Sequence, residues 1–111
     1  MNEEEITAWS LRHFPTATAT DFVLKATEEL GELARAHYRR HIAGDRVPLL
    51  SVRERDAIGD IAIVLIALCG RHGTSLAGVT ERTWEHVRQR DAARIQNRLP
   101  LPDEQPYCQP A

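Results

Sequence analysis

The chain has 111 residues, a formal net charge of −2 and an apolar fraction of 42%. That length fits one domain with a modest core, and the near-cancellation of acids and bases excludes the strongly basic face of a non-specific nucleic-acid binder. Its two cysteines, Cys69 and Cys108, exclude a disulfide-stapled secreted scaffold.

Ala, Leu, Glu and Arg dominate, a composition that favours helix, and four helices with no strand are expected. The first runs from about Glu3 to His13, carries Ile6, Trp9 and Leu11, and stops before Pro15. The second is the longest, from Ala19 or Asp21 to Ile42, with Gly44 in the position of a C-terminal stop. Its apolar stripe is Val23, Ala26, Leu30, Leu33 and Ala34. Ser51 followed by Glu54 is a capping box that starts a third helix at Val52, continuing to about Arg71, with Gly70 and Gly73 marking its end. Thr74 or Ser75 caps a fourth helix that reaches about Arg98. There Trp84, Val87, Asp91 and Ile95 share a stripe, so Asp91 interrupts an apolar face and is expected to pair with Arg88 or Arg94. Trp9 and Trp84 either pack in a core or stack on a nucleobase.

The domain is expected to span residues 1–99, followed by a tail at 100–111 with four prolines and no periodicity. The acidic start, Met-Asn-Glu-Glu-Glu, is unlike a basic secretory signal. The longest apolar stretch, Ile61 to Cys69, is far short of the roughly 20 residues of a membrane span. A soluble cytoplasmic protein without nucleic-acid or membrane partners is expected. From Ile58 to Leu68 the third helix is apolar almost all round, which demands cover on several sides. The expected architecture is therefore all-α: a four-helix-bundle-like protomer whose helices pack with those of a second chain.

Lys25, Glu29 and Glu32 form a ridge beside the apolar stripe of helix two, with Glu28 further round. Asp56 and Asp60 stand one turn apart on helix three, and Asp60 opens the run Ile-Ala-Ile-Val-Leu, where a carboxylate is poorly solvated. Antiparallel packing of the two helices sets Glu29 and Glu32 against Asp56 and Asp60. Four converging carboxylates repel unless a cation neutralises them, and magnesium, or manganese in its place, suits an all-oxygen site that also holds phosphates. The competing reading is a solvated helix face on which the acids pair with Lys25, Arg35 and Arg39. His37 and His41 are one helical turn apart, but no further Cys or His is spaced to complete a zinc site.

The run Lys25-Ala-Thr-Glu28-Glu29-Leu-Gly-Glu32-Leu33 resembles the EExxE helix of the MazG-like all-α nucleoside triphosphate pyrophosphohydrolases. The run Asp56-Ala-Ile-Gly-Asp60-Ile-Ala-Ile resembles their second metal motif. Trp9 with Phe14-Pro15, and Trp84-Glu-His-Val87-Arg-Gln-Arg90-Asp91, are similar to flanking segments of the small members. The resemblance implies a homodimeric or tetrameric helical bundle that cleaves a nucleoside triphosphate to the monophosphate and pyrophosphate with magnesium. It makes Glu29, Glu32 and Asp60 metal ligands and Glu28 the first acid of the motif. The family's second motif is ExxD, which calls for Glu where this chain has Ala57. Asp56 is the nearest replacement, rotated about 100° from that position.

Under this reading Glu28 or Glu29 accepts a proton from the attacking water. Lys25 binds phosphate from its place on the ridge, with Arg88, Arg90 and Arg94 of helix four as further phosphate-binding candidates. The alternative function is a catalytically silent helical dimer serving as a nucleotide-binding or protein-interaction module, which Ala57 favours.

Overall fold

Each of the first three helices begins at a side chain that takes up a free backbone N–H, and the last begins at a residue borrowed from far away in the chain. The computed structural model describes residues 1–97. It contains α1 (Glu3–His13), α2 (Ala19–Ile42), α3 (Val52–Arg71) and α4 (Leu76–Asn97), with no strand among the described residues. The expected tail, 100–111, lies outside those residues, as does Arg98.

The Asn2 side chain accepts from the Glu5 N–H at 2.7 Å, and three acids in the first turn of α1 with Arg12 and His13 in the last suit the helix dipole. Thr18 and Asp21 form a capping box on α2 that the sequence reading did not single out. The expected Ser51–Glu54 box is present on α3, its two bonds 2.8 and 3.1 Å long. Gly44 and Gly73 adopt φ of 76° and 79°, the left-handed region in which chains leave helices at little cost to glycine. Gly70, expected to mark the end of α3, lies inside its last turn instead. Its role is steric: a Cβ there would sit 1.9 Å from Thr7 Oγ1, so the missing side chain lets α1 approach. At α4 the Leu76 N–H donates to Glu3 Oε1 at 2.6 Å.

The described residues divide into two compact units, Met1–Leu76 and a second that begins at Ala77. Within the first, α3 packs against both α1 and α2. α2 and α3 run antiparallel: Arg40 near the end of α2 meets Glu54 at the start of α3, and the Arg71 guanidinium at the end of α3 lies 4.9 Å from the ring centroid of Phe22 near the start of α2. Arg71 also donates to the Ser10 carbonyl and hydroxyl and to the Ala17 carbonyl, tying α1 and the following loop to α3. Phe22, Ala57, Ile66 and Ala67 are buried.

The buried face of α2 corrects the expected stripe. Phe22, Ala26, Glu29, Leu33, Ala36 and Arg40 are buried or half-buried, whereas Val23, Leu30 and Ala34 are exposed. Ala26, Ala36 and Ala57 lie on the α2–α3 seam, and Val23 and Leu30 are left on the outside. On α3, Ile58 and Ile63 are exposed as well.

In the second unit, Trp84 and Ile95 are more than half exposed and Asp91 is exposed, so this stripe of α4 is not buried as expected. Asp91 lies 3.9 Å from Arg94, one of its two expected partners. No single helix among the described residues is long and apolar enough to cross a membrane.

Candidate functional site

The seam between α2 and α3 is built from small residues on the inside and charged residues along its edge. Residues 25, 29, 32, 36 and 39 of α2 follow one another at three- and four-residue steps, so a single stripe carries Lys25, Glu29, Glu32, Ala36 and Arg39. The facing stripe of α3 carries Arg53, Asp56, Ala57 and Asp60. Between them lies a cleft of about 290 Å³ whose lining includes all four expected ligands, Glu29, Glu32, Asp56 and Asp60, together with Arg35, Arg39 and Arg53. Ala57, at the position where the family motif would put an acid, is buried in the wall of this cleft.

A second cleft, of about 640 Å³, adjoins it and is largely apolar. Trp9, Phe14 and Phe22 supply aromatic surface, and Asp21, Lys25, Glu29 and Asp60 supply the charge. The ring of Trp9 packs edge-on to Phe14 with centroids 5.8 Å apart and tilts over His13 at 5.3 Å. Trp9 remains 40% exposed, available on one face rather than packed in a core. Among the described residues, Glu29 and Asp60 alone line both clefts.

Glu29 sits on the packing face of α2 with its side chain 13% exposed, more enclosed than its expected place beside the stripe. Lys25 Nζ lies 3.2 Å from Glu29 and 3.4 Å from Glu28, and these two carboxylates, Glu29 foremost, raise the lysine's pKa. Lys25 therefore has both motif acids as partners. Glu28 is exposed and lines neither cleft. Asp60 is exposed rather than poorly solvated, because it opens into both clefts instead of pointing into the apolar run behind it.

Glu32, Asp56, Asp60, Arg35, Arg39 and Arg53 have no ion-pair partner among the described residues. Of the pairings expected of a plain solvated face, only Lys25 makes its ion pairs. No three His, Cys, Asp or Glu side chains among the described residues stand close enough to enclose a metal ion. In kind, four carboxylates on one cleft fit a hard divalent cation, and ligation by three of them requires rotamer changes of the exposed acids.

The remaining phosphate-binding candidates lie on α4. Arg88 is paired with Glu85, and Arg94 is buried beside Asp91. Arg90 lines a shallow cleft with Thr83, His86, Gln89 and Ala93.

Glu54 acts beyond its capping role. It is 1% exposed, accepts from the Ser51 N–H, is ion-paired with Arg40 and is hydrogen-bonded with His37 Nδ1 at 3.0 Å. The Ser51 N–H bond, then those of His37, the Ser51 hydroxyl and Arg40, pull its carboxyl from an ordinary 4.5 to about 2 against the cost of burial. Arg40 extends this network to Asp45 and to the Val47 carbonyl, fixing the loop that joins α2 to α3. The network joins the last turns of α2 to the first turn of α3. Its sequence signal, a Glu seventeen residues beyond His37 and fourteen beyond Arg40, has no local period that would mark it.

No family model, no curated protein and no solved structure matches the chain.

Proposed function

We propose that the chain is a magnesium-dependent nucleoside triphosphate pyrophosphohydrolase of the MazG-like kind, releasing a nucleoside monophosphate and pyrophosphate. One observation carries the reading: Glu29 and Asp60 stand where an aromatic cleft meets an acidic one. A nucleotide needs both surfaces, an apolar one for its base and one for its phosphate chain.

Glu29, Glu32 and Asp60, with Asp56 in place of the acid absent at Ala57, are the residues that would hold magnesium. A divalent cation held there supplies charge neutralisation for the phosphate chain. The chain's own groups position and exchange protons. Lys25 orients the Glu29 carboxylate through the 3.2 Å ion pair. Glu29, enclosed at the junction, accepts the proton of the attacking water, and Glu28 holds the far side of Lys25. Trp9 and Phe14 offer the base an apolar surface that also limits water at the junction.

The exposed Val23, Leu24 and Leu30 of α2 and Ile58 and Ile63 of α3 support assembly as a homodimer or tetramer, burying apolar surface that one protomer leaves in water. The two-cysteine composition fits a cytoplasmic setting.

Pyrophosphate release from a panel of ribo- and deoxyribonucleoside triphosphates, with magnesium and with EDTA, tests the proposal. Turnover is expected only with the metal, and Glu32→Ala is expected to abolish it while leaving the helical content intact. Folded wild-type protein that turns over none of the panel refutes the enzyme reading. It would favour a silent nucleotide-binding or interaction module, the reading supported by the buried Ala57.

A further inference from the structure

Because α2 and α3 are antiparallel, the chemistry of their seam changes in a fixed order along its length. Phe22 and Lys25 on α2 lie toward Ile63 and Ala67 on α3, at the aromatic end. With Arg40 facing Glu54 and Phe22 facing Arg71, Glu29 comes next and Glu32 falls near the level of Asp60. Arg35 falls near the level of Asp56 and Ala57, and Arg39 near that of Arg53 in the first turn of α3. The order is aromatic, acidic, basic.

The three arginines share a cleft with four carboxylates, yet none of them is ion-paired among the described residues. Guanidinium groups kept apart from acids on the same cleft are available to an anion that enters it. Arg53 stands in the first turn of α3, where the helix dipole is positive, and Arg39 in the last turn of α2, where it is negative. Arg35 is one turn beyond Glu32, about 4.5 Å along the axis, and Arg39 is one further turn on.

We infer that Arg35, Arg39 and Arg53 seat the terminal phosphates of the substrate, whose chain runs from the aromatic cleft across Glu29 and Asp60 to the arginine end. The inference rests on the proposed nucleotide site and moves phosphate recognition from α4 to the α2–α3 seam. It also sets the substrate class: a planar, uncharged group joined to an anion long enough to pass the acids. A nucleoside triphosphate satisfies this. A nucleoside monophosphate ends at the acids and gains nothing from the arginines.

The test is calorimetric titration of the full chain with magnesium tripolyphosphate, a probe that lacks the base. Arg35→Gln, Arg39→Gln and Arg53→Gln are each expected to weaken binding about 10-fold, equivalent to about 1.4 kcal/mol, and the triple variant to bind too weakly to measure. Arg55→Gln, a change of equal charge on α3 outside the cleft lining, is expected to bind like the wild type. The three side chains are exposed and make no hydrogen bond among the described residues, so circular dichroism of the variants should match the wild type. If the triple variant does not fold, the single variants decide.

Wild-type protein that fails to bind the probe, or single variants that bind as tightly as wild type, overturns the inference. The two readings fail separately. Arginine-dependent binding without nucleotide turnover keeps the phosphate seat and removes the hydrolase. Turnover with KM unchanged in the triple variant keeps the hydrolase and removes the seat.

Discussion

Gly70→Ala probes the docking of α1 on α3 with a single methyl group. The added Cβ would meet Thr7 Oγ1, Cγ2 and Cβ at 1.9, 2.7 and 2.8 Å. Rotation about χ1 of Thr7 moves the first two atoms away but leaves its Cβ in place. That contact must open from 2.8 Å to the 3.4 Å at which ordinary contact begins, so α1 has to retreat by at least about 0.6 Å. Such overpacking costs about 1–3 kcal/mol, offset by about 1 kcal/mol from the better helix propensity of Ala over Gly. The net expected loss is about 0–2 kcal/mol, which lowers a urea midpoint by up to about 1 M at an m-value of about 2 kcal/mol/M. Unfolding followed by far-UV circular dichroism, at one fixed protein concentration, measures it. Thr7→Gly in the same chain removes the obstructing Cβ, and a double-mutant cycle is expected to return a favourable coupling of about 1 kcal/mol or more. A midpoint that stays put or rises in Gly70→Ala, with no coupling to Thr7, refutes the close approach of the two helices.

Three further outcomes are expected. The Glu54 carboxyl is held at about 2 in the fold against an ordinary 4.5, so its contribution is fully present above about 4.5 and is lost as pH falls toward 2. Asp21 and Asp45, lowered by the N–H groups of Thr18 and Val47, act in the same direction. Glu54→Gln should therefore be less stable than wild type at pH 7 and show a flatter fall in urea midpoint from pH 5 to 2; parallel curves would show that Glu54 carries none of the acid sensitivity. Ala57→Glu places a fifth carboxylate in the cleft wall, and it should melt below wild type in EDTA yet gain more from magnesium; an equal magnesium shift in both proteins would mean that the added acid does not reach the cation. Phe22→Ala removes a buried ring together with the guanidinium contact of Arg71, a loss of about 3–5 kcal/mol. Denaturant titration checks this last expectation, and a loss under about 1 kcal/mol would place Phe22 outside the core.

Helix ends were the most legible part of the sequence, because caps, glycines and prolines act over three or four residues. Ser51 with Glu54 and Gly44 each announce their role within one turn. Faces were harder to read. Periodicity weighs hydrophobicity, so it selects Val23, Leu30 and Ala34, whereas the protomer encloses the stripe containing Ala26, Glu29 and Ala36. The acids of the cleft were legible through their spacing, since antiparallel packing of two regular helices leaves little freedom in which turns meet. The arginines were not, because a guanidinium on a helix surface carries no mark of being unpaired until its neighbours in space are known. Arg71 and Glu54 were hidden for the same reason: their partners at Ser10, Ala17, His37 and Arg40 are set by the tertiary fold.

The bond from the Leu76 N–H to Glu3 joins residues separated by 73 positions, nearly the whole of the first unit. Closing so long a loop carries an entropic cost that local contacts do not, so this bond belongs among the last to form as the chain folds. Its opening needs only the first turn of α1 to lift away. The exchange rate of the Leu76 amide hydrogen with solvent therefore reports how often that turn comes free while α2 and α3 remain paired.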